Sequence, residues 1–300
     1  MQKVLITGAK GFIGTKLVEK FNSKGYWVEG WDICKNANKF NSIDMKNYTE
    51  ILEALKGFVP DIIIHCAGSA DVSFSVKQPN DDYVSNVTIT HNLLFALHEL
   101  NMDETKVVFL SSAAVYGNPE KLPIVEEMKL KPLSPYALHK VMCEDICSYF
   151  INNYKMNIKI ARIFSAYGVG LKKQIFWDMH NKMKRTGSLE LFGTGNESRD
   201  YINIADVVQA IYLIATVNTE QIIFNVANGE EITIKEAVYC YAESNGISKD
   251  IISFNGVIRE GDPINWRADI TRLKELGYVK SVSIQNGIND YCKWLKESEE

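Results

Sequence analysis

"KVLITGAKGFIG", residues 3–14, runs a strand-like stretch straight into three glycines, Gly8, Gly11 and Gly14. Lys3–Thr7 is rich in aliphatic side chains, and a helical pattern opens at about Phe12. Glycines here let the chain turn tightly and let backbone amides approach a pyrophosphate at a helix amino terminus. A glycine-rich turn can also do no more than pack a helix on a strand. Strand, turn and helix in that order predict a nucleotide-binding βα unit. The spacing is G-x-x-G-x-x-G rather than G-x-G-x-x-G, a related phosphate turn. Gly8, Gly11, Phe12, Ile13 and Gly14 are the first candidate cofactor contacts.

The next strand-like run, "YWVEGWD" (26–32), ends on Asp32, eighteen residues beyond Gly14. A carboxylate there can accept both adenosine ribose hydroxyls and repels a 2′-phosphate, which predicts NAD rather than NADP. Lys35 lies close enough to soften that preference, though it also reads as a solvated loop lysine. Asp44 and Met45, in "SIDM", stand where a loop can reach an adenine or serve only as loop. Further strand-like runs, "DIIIHCAG" (61–68), "KVVFLSS" (106–112) and "IKIARIF" (158–164), alternate with helical patterns at about 12–23, 48–57, 81–100 and 135–153. The last carries Leu138, Met142, Ile146, Tyr149 and Phe150 on one stripe. This alternation predicts an α/β fold, a Rossmann-type doubly wound parallel sheet covered on both faces.

After residue 165 the rhythm changes. Glycine, charge and aromatics mix before a helix at about 205–216, a strand at 222–229 and a helix at about 233–244. The expected division is an NAD-binding domain over 1–168, to which 200–227 return. Residues 169–300 form mainly a smaller carboxy-terminal α/β substrate-binding domain.

Of the 300 residues 46% are hydrophobic and 23% charged, ordinary for a soluble globular protein. A net charge of −4 gives no reason to expect nucleic acid or an anionic membrane as partner. The six cysteines include no Cys-x-x-Cys pair. Cys143 and Cys147, one helical turn apart, could offer half a metal site, but two small buried helix residues are the simpler reading, and no metal is expected. No signal-peptide pattern opens the chain, and its longest apolar stretch, "VVQAIYLIATV" (207–217), is too short to span a bilayer. A reducing, cytoplasmic setting is the expectation.

"SPYALHK" (134–140) carries the chemistry. Ser134 suits an N-cap and Pro135 the first helical position, so Tyr136 and Lys140 share one helix face. With 14 tyrosines and 33 lysines plus arginines, that spacing alone arises about once by chance. The order of motifs adds specificity: "TGAKGFIG", "HCAG", "SSAAVYG", "YALHK" and "GNESRDYINIADV". In these the chain resembles the extended short-chain dehydrogenase/reductases. It is most similar to their NAD-dependent nucleotide-sugar epimerases and dehydratases, particularly the UDP-glucose 4-epimerases. The likeness covers essentially the whole chain, ending in "REGDPINWRADITRLKELGY" (259–278).

The resemblance implies that Tyr136 is the acid/base and that Lys140 lowers its pKa while holding the nicotinamide ribose. A free phenol, with a pKa of about 10, is a poor base at neutral pH. A neighbouring ammonium and a cationic nicotinamide both favour phenolate. Ser112 then hydrogen-bonds the same sugar oxygen, with Ser111 the near alternative. By the same likeness Cys66, Ala67, Gly68, Asn86 and Phe164 lie along the dinucleotide. Arg199 and Arg259 grip the substrate diphosphate, a task suited to a planar, always charged guanidinium; structural salt bridges are the plain alternative. After the fifth strand the family reads R-x-F-N, the Asn binding diphosphate. Here Ser165 takes that place, shorter and without an amide, which shifts the expected substrate pose.

The resemblance also separates reactions. The 4,6-dehydratases place Asp-Glu after the catalytic hydroxyl, where this chain has Ala113-Ala114, and two methyl groups cannot transfer protons. The glutamate of decarboxylating relatives and the cysteine of the GDP-fucose synthase type are missing too. The expected function is an NAD-dependent nucleotide-sugar 4-epimerase, oxidising C4 and returning the hydride to the other face. The setting is sugar-nucleotide or surface-polysaccharide biosynthesis. A 4-keto-sugar reductase would use the same Ser-Tyr-Lys set and consume NAD(P)H, while a non-catalytic sensor would be expected to lack the tyrosine or lysine. The likeness further implies a homodimer built on helices near 81–100 and 135–153.

Overall fold

A computed structural model describes residues 1–34, 41–257 and 263–298. The chain starts with β1 (Lys3–Thr7), α1 (Phe12–Ser23), β2 (Trp27–Asp32), β3 (Asn41–Ser42) and α2 (Tyr48–Gly57). Next come β4 (Ile62–His65), α3 (Val72–Lys77), α4 (Pro79–Tyr83), a π-helical turn (Val84–Thr88) and α5 (Ile89–Glu99). Then follow β5 (Lys106–Ser112), α6 (Pro135–Tyr154), β6 (Ile158–Ile163), β7 (Ser165–Tyr167) and α7 (Gln174–Thr186). After them lie β8 (Leu189–Leu191), β9 (Ser198–Arg199), β10 (Tyr201–Asn203), α8 (Ile204–Thr216) and β11 (Ile223–Val226). The chain closes with β12 (Ile232–Thr233), α9 (Ile234–Asn245), β13 (Ile252–Phe254), α10 (Thr271–Glu275) and α11 (Ile284–Glu297).

Seven strands form one parallel sheet in the order β11-β6-β5-β4-β1-β2-β3. The order reverses between β1 and β4, and at such a switch point the loops leaving neighbouring strands diverge to open a crevice. Alternate residues of β1 point to opposite faces. Val4 and Ile6 enter a core with Leu17 and Phe21 of α1 and Val207 and Ile211 of α8. Leu5 enters the other, with Ile51 of α2, Leu93 and Leu97 of α5 and Phe150 of α6. Both faces being covered, the inner strands are mostly apolar, as in a Rossmann-type doubly wound sheet, with polar exceptions such as His65, Ser111 and Arg162. The late strand β11 pairs with β6. A third core, with Phe176, Met179, Tyr201, Tyr241, Ile288 and Tyr291, organises the smaller lobe.

Two features depart from the sequence reading. The helix expected over 81–100 is interrupted by one wide turn at Val84–Thr88, which carries Asn86. The apolar stripe of α6 is split: Leu138 is 45% exposed and Tyr149 54%, with Met142 beside them, while Phe150 enters the core. The inward face holds Tyr136, His139, Lys140, Cys143, Glu144 and Cys147, because its polar members find buried partners. Cys143 and Cys147 lie in the core. Among the described residues no cluster of acidic, His or Cys side chains could hold a metal, and no helix is long and apolar enough to cross a membrane.

Candidate active site

A cleft of about 650 Å³ opens at the switch point, between the carboxyl ends of the strands and the smaller lobe. Gly8, Gly11, Phe12, Ile13 and Gly14 line one wall. A Cβ on Gly14 would stand 2.1 Å from the Gly8 carbonyl oxygen, so only glycine lets α1 lie this close to the turn. The N-cap of α1, Gly11, offers no side-chain cap, and no acidic residue occupies the first turn. The positive helix end and its free N–H groups therefore face the cleft unneutralised, which fits a diphosphate. Asp32 stands at the rim of this turn, its carboxylate accepting the Lys10 N–H at 3.0 Å and the Cys34 N–H at 3.3 Å.

Asp44 lies just beyond β3 and accepts the Lys46 N–H at 3.0 Å. Met45 sends its side chain into the core, leaving only its backbone to meet an adenine. Neither lines the cleft, and Lys35 lies outside the described residues.

The loop after β4 is held by a buried polar chain. The Ala67 N–H donates to Thr7 Oγ1 at 3.2 Å, and that hydroxyl meets His65 Nδ1 at 2.7 Å. His65 Nε2 reaches Thr90 Oγ1 at 3.2 Å, which donates to the Asn86 carbonyl at 2.7 Å. This order suits a neutral imidazole carrying its proton on Nε2. Burial, helped by the charge of Lys140, pushes the His65 pKa down to about 3. Cys66 and Gly68 line the cleft; burial keeps the Cys66 thiol protonated by raising its pKa. Gly68, at φ +147°, passes so near Asn86 that a Cβ would stand 2.7 Å from Oδ1. Asn86 Oδ1 is buried with no partner among the described residues, a free acceptor beside the loop that follows β4.

Helix α6 begins as its sequence dictates: Ser134 Oγ accepts the Ala137 N–H at 3.2 Å, and Pro135 takes the first position. That start places Tyr136 and Lys140 on the cleft. Lys140 Nζ donates to the Leu110 carbonyl at 3.1 Å and lies 6.0 Å from the Tyr136 ring centroid. Ser111 Oγ donates to Glu144 Oε1 at 2.5 Å, which engages it in the interior. Ser112 Oγ accepts the Ala114 N–H at 3.2 Å, keeping its own hydrogen for a ligand. Ala113 is buried, and Ala114 presents a methyl group to the cleft.

Phe164, Ser165 and Arg199 line the opposite wall. Arg199 Nη1 donates to the carbonyls of Ser198 and Ile264, and its guanidinium lies 5.8 Å from the Trp266 ring centroid. Arg259 lies outside the described residues. Sequence reasoning missed Lys173, whose ammonium bridges the cleft mouth to the Ala70 carbonyl at 3.0 Å; the adjacent pair Lys172–Lys173 in a glycine-rich stretch was the available signal. It also missed Asp200, whose carboxylate gathers the N–H groups of Asn228, Gly229 and Ala268. Burial raises its pKa to about 7.

A phosphate turn and a tyrosine–lysine pair opening on one crevice of a doubly wound sheet define a dinucleotide-dependent enzyme of the dehydrogenase type. More particularly, the chain belongs to the NAD dependent epimerase/dehydratase family, whose model matches residues 4–227, and NAD is its cofactor. It is 30% identical to the UDP-glucose 4-epimerase of Mycolicibacterium smegmatis, over 95% of this chain and 96% of that protein. The structure of UDP-glucose 4-epimerase from Thermotoga maritima, with UDP-glucose, superposes with a TM-score of 0.90 at 25% identity, covering 100% of both chains. The Thermus thermophilus UDP-glucose 4-epimerase in complex with NAD gives 0.87 at 26% identity, over 98% of this chain and 99% of that one.

Proposed function

We propose that the chain interconverts the C4 epimers of a UDP-hexose. The reading is carried by one observation: Tyr136, Lys140 and Ser112 open on the cleft with alanine, not a carboxylate, following Ser112. When bound, NAD supplies the reversible two-electron oxidation of the sugar carbon. Tyr136 takes the proton of the C4 hydroxyl and later returns it. Lys140, on the same helix face, would hold the nicotinamide ribose beside it. Ser112 donates to the same sugar oxygen and orients it. Arg199 faces the diphosphate, with Ser165 beside it and Arg259 a second cation carried over from the resemblance. Without a carboxylate after Ser112, nothing there assists loss of the C6 hydroxyl.

The outward face of α6, with Leu138, Met142 and Tyr149, and Phe95 of α5 support a homodimer packed through these helices. A cytoplasmic place in sugar-nucleotide supply for surface polysaccharides goes with that reading. NMR of the anomeric protons tests the reading, with UDP-, dTDP-, CDP- and GDP-sugars offered without added NADH. UDP-glucose and UDP-galactose should approach one equilibrium from both sides, with no net change in absorbance near 340 nm. No product with any of these sugars, or net NADH consumption in a parallel assay of a 4-keto sugar with NADH added, would overturn it.

A further inference from the structure

Ser112 comes from a strand and the Tyr136–Lys140 pair from a helix, so proton transfer depends on how those two elements are held together. Lys140 and Glu144 lie one turn apart on α6, and both reach the end of β5. Lys140 Nζ donates to the Leu110 carbonyl at 3.1 Å, and Glu144 Oε1 accepts from Ser111 Oγ at 2.5 Å. Two successive residues of β5 are thus pinned by one face of one helix, and the next residue is Ser112.

Glu144 is itself held from β6. Arg162 Nε donates to its two carboxylate oxygens at 3.0 and 3.2 Å, and Nη2 donates at 2.6 Å. Arg162 Nη1 donates to Tyr116 Oη and to the Glu126 carbonyl, both at 2.8 Å. Tyr116 Oη donates to Asn225 Oδ1 at 2.7 Å, and Asn225 Nδ2 donates to the carbonyls of Ile124 and Asp269. The Arg162 and Glu144 side chains are only 4% and 5% exposed. A buried ion pair is weak evidence for stability, since apolar residues of the same volume often serve as well. Apolar residues cannot make a directional bond to Ser111.

We infer that Glu144, locked by Arg162 and bonded to Ser111, is a positioning residue: it sets the rotation of α6 against the end of β5, and so the approach of Ser112 to Tyr136. The inference rests on Ser112, Tyr136 and Lys140 being the reacting set. Ser111→Ala removes the bond to β5 and leaves the Glu144–Arg162 pair intact. Its kcat should fall about tenfold, with KM for the UDP-sugar and the content of bound NAD within about threefold of the unaltered enzyme. Glu144→Gln should lower kcat too, and the double variant should be no slower than the slower single one. Ser111→Ala decides alone if Glu144→Gln does not fold. Unchanged kcat in Ser111→Ala, even with a lower melting temperature, would overturn the inference and mark a merely structural bond. An unaltered chain without UDP-sugar activity would overturn the functional reading as well.

Discussion

Lys140 carries three N–H donors and spends one on the Leu110 carbonyl at 3.1 Å, which anchors the ammonium and leaves two for the proposed ribose and Tyr136 contacts. Tyr136→Phe keeps the ring and its packing, so fold and NAD affinity should survive. Turnover should drop by about 10²–10⁴, the usual contribution of a positioned acid/base. Lys140→Met should also weaken NAD binding, and the two changes should be far from additive in rate because both act through one oxygen. Steady-state kinetics with calorimetric NAD titration checks this, and a Tyr136→Phe enzyme that stays active would sink it. Asp32, beside the glycine turn, accepts the Lys10 and Cys34 N–H groups, which aims it at that turn. NAD should bind more tightly than NADP, and Asp32→Ala should narrow the gap; calorimetry showing tighter NADP binding to the unaltered chain contradicts this.

Between elements, contacts decide what single residues tolerate. Because a Cβ at Gly14 meets the Gly8 carbonyl at 2.1 Å, Gly14→Ala must push α1 off the turn. Overpacking of this kind costs about 1–3 kcal/mol, and the shift should abolish NAD retention through purification while the melting temperature falls. His65 joins β4 to β1 and α5 and is neutral in the fold, with a pKa near 3 against an ordinary 6.5. On acidification the unfolded chain takes up this proton first, so the stabilisation is whole above pH 6.5 and is lost as pH falls toward 3. The loss reaches about 2 kcal/mol at pH 5. Urea unfolding at pH 7 and 5 should show it, and His65→Gln should flatten the difference. Such contacts are only partly legible in sequence. Gly8, Gly11 and Gly14 announce their turn because few residues can occupy it, and Ser134–Pro135 announces a helix start. Strand alternation puts Ser111 and Ser112 on opposite sides but does not say which side holds Glu144, thirty-three residues away from Ser111. The wide turn at Asn86 adds one residue with no pattern of its own, and Lys173 meets Ala70 only through the fold.

At the scale of the whole molecule, the outer face of α6 raises the remaining question. Periodicity identified its stripe without saying what covers it, and the fold leaves Leu138, Met142 and Tyr149 exposed beside Phe95 of α5. Scattered exposed apolar residues are ordinary, but these adjoin a groove between α5 and α6 lined by His91, Phe95, Ile146, Tyr149, Phe150 and Tyr154. A twofold pairing would lay the same face of each chain on the other, burying the stripe against itself. Tyr136 and Lys140 sit on the opposite side of the same helix, so pairing would also brace the element that carries the proposed proton-transfer pair. Met142→Glu places a charge within that contact, where desolvation has no compensating partner. In analytical ultracentrifugation the unaltered protein should sediment at twice its 33.9 kDa chain mass, and Met142→Glu at the single-chain mass with its NAD still bound. A chain that sediments at 33.9 kDa before any substitution would leave the stripe without this partner.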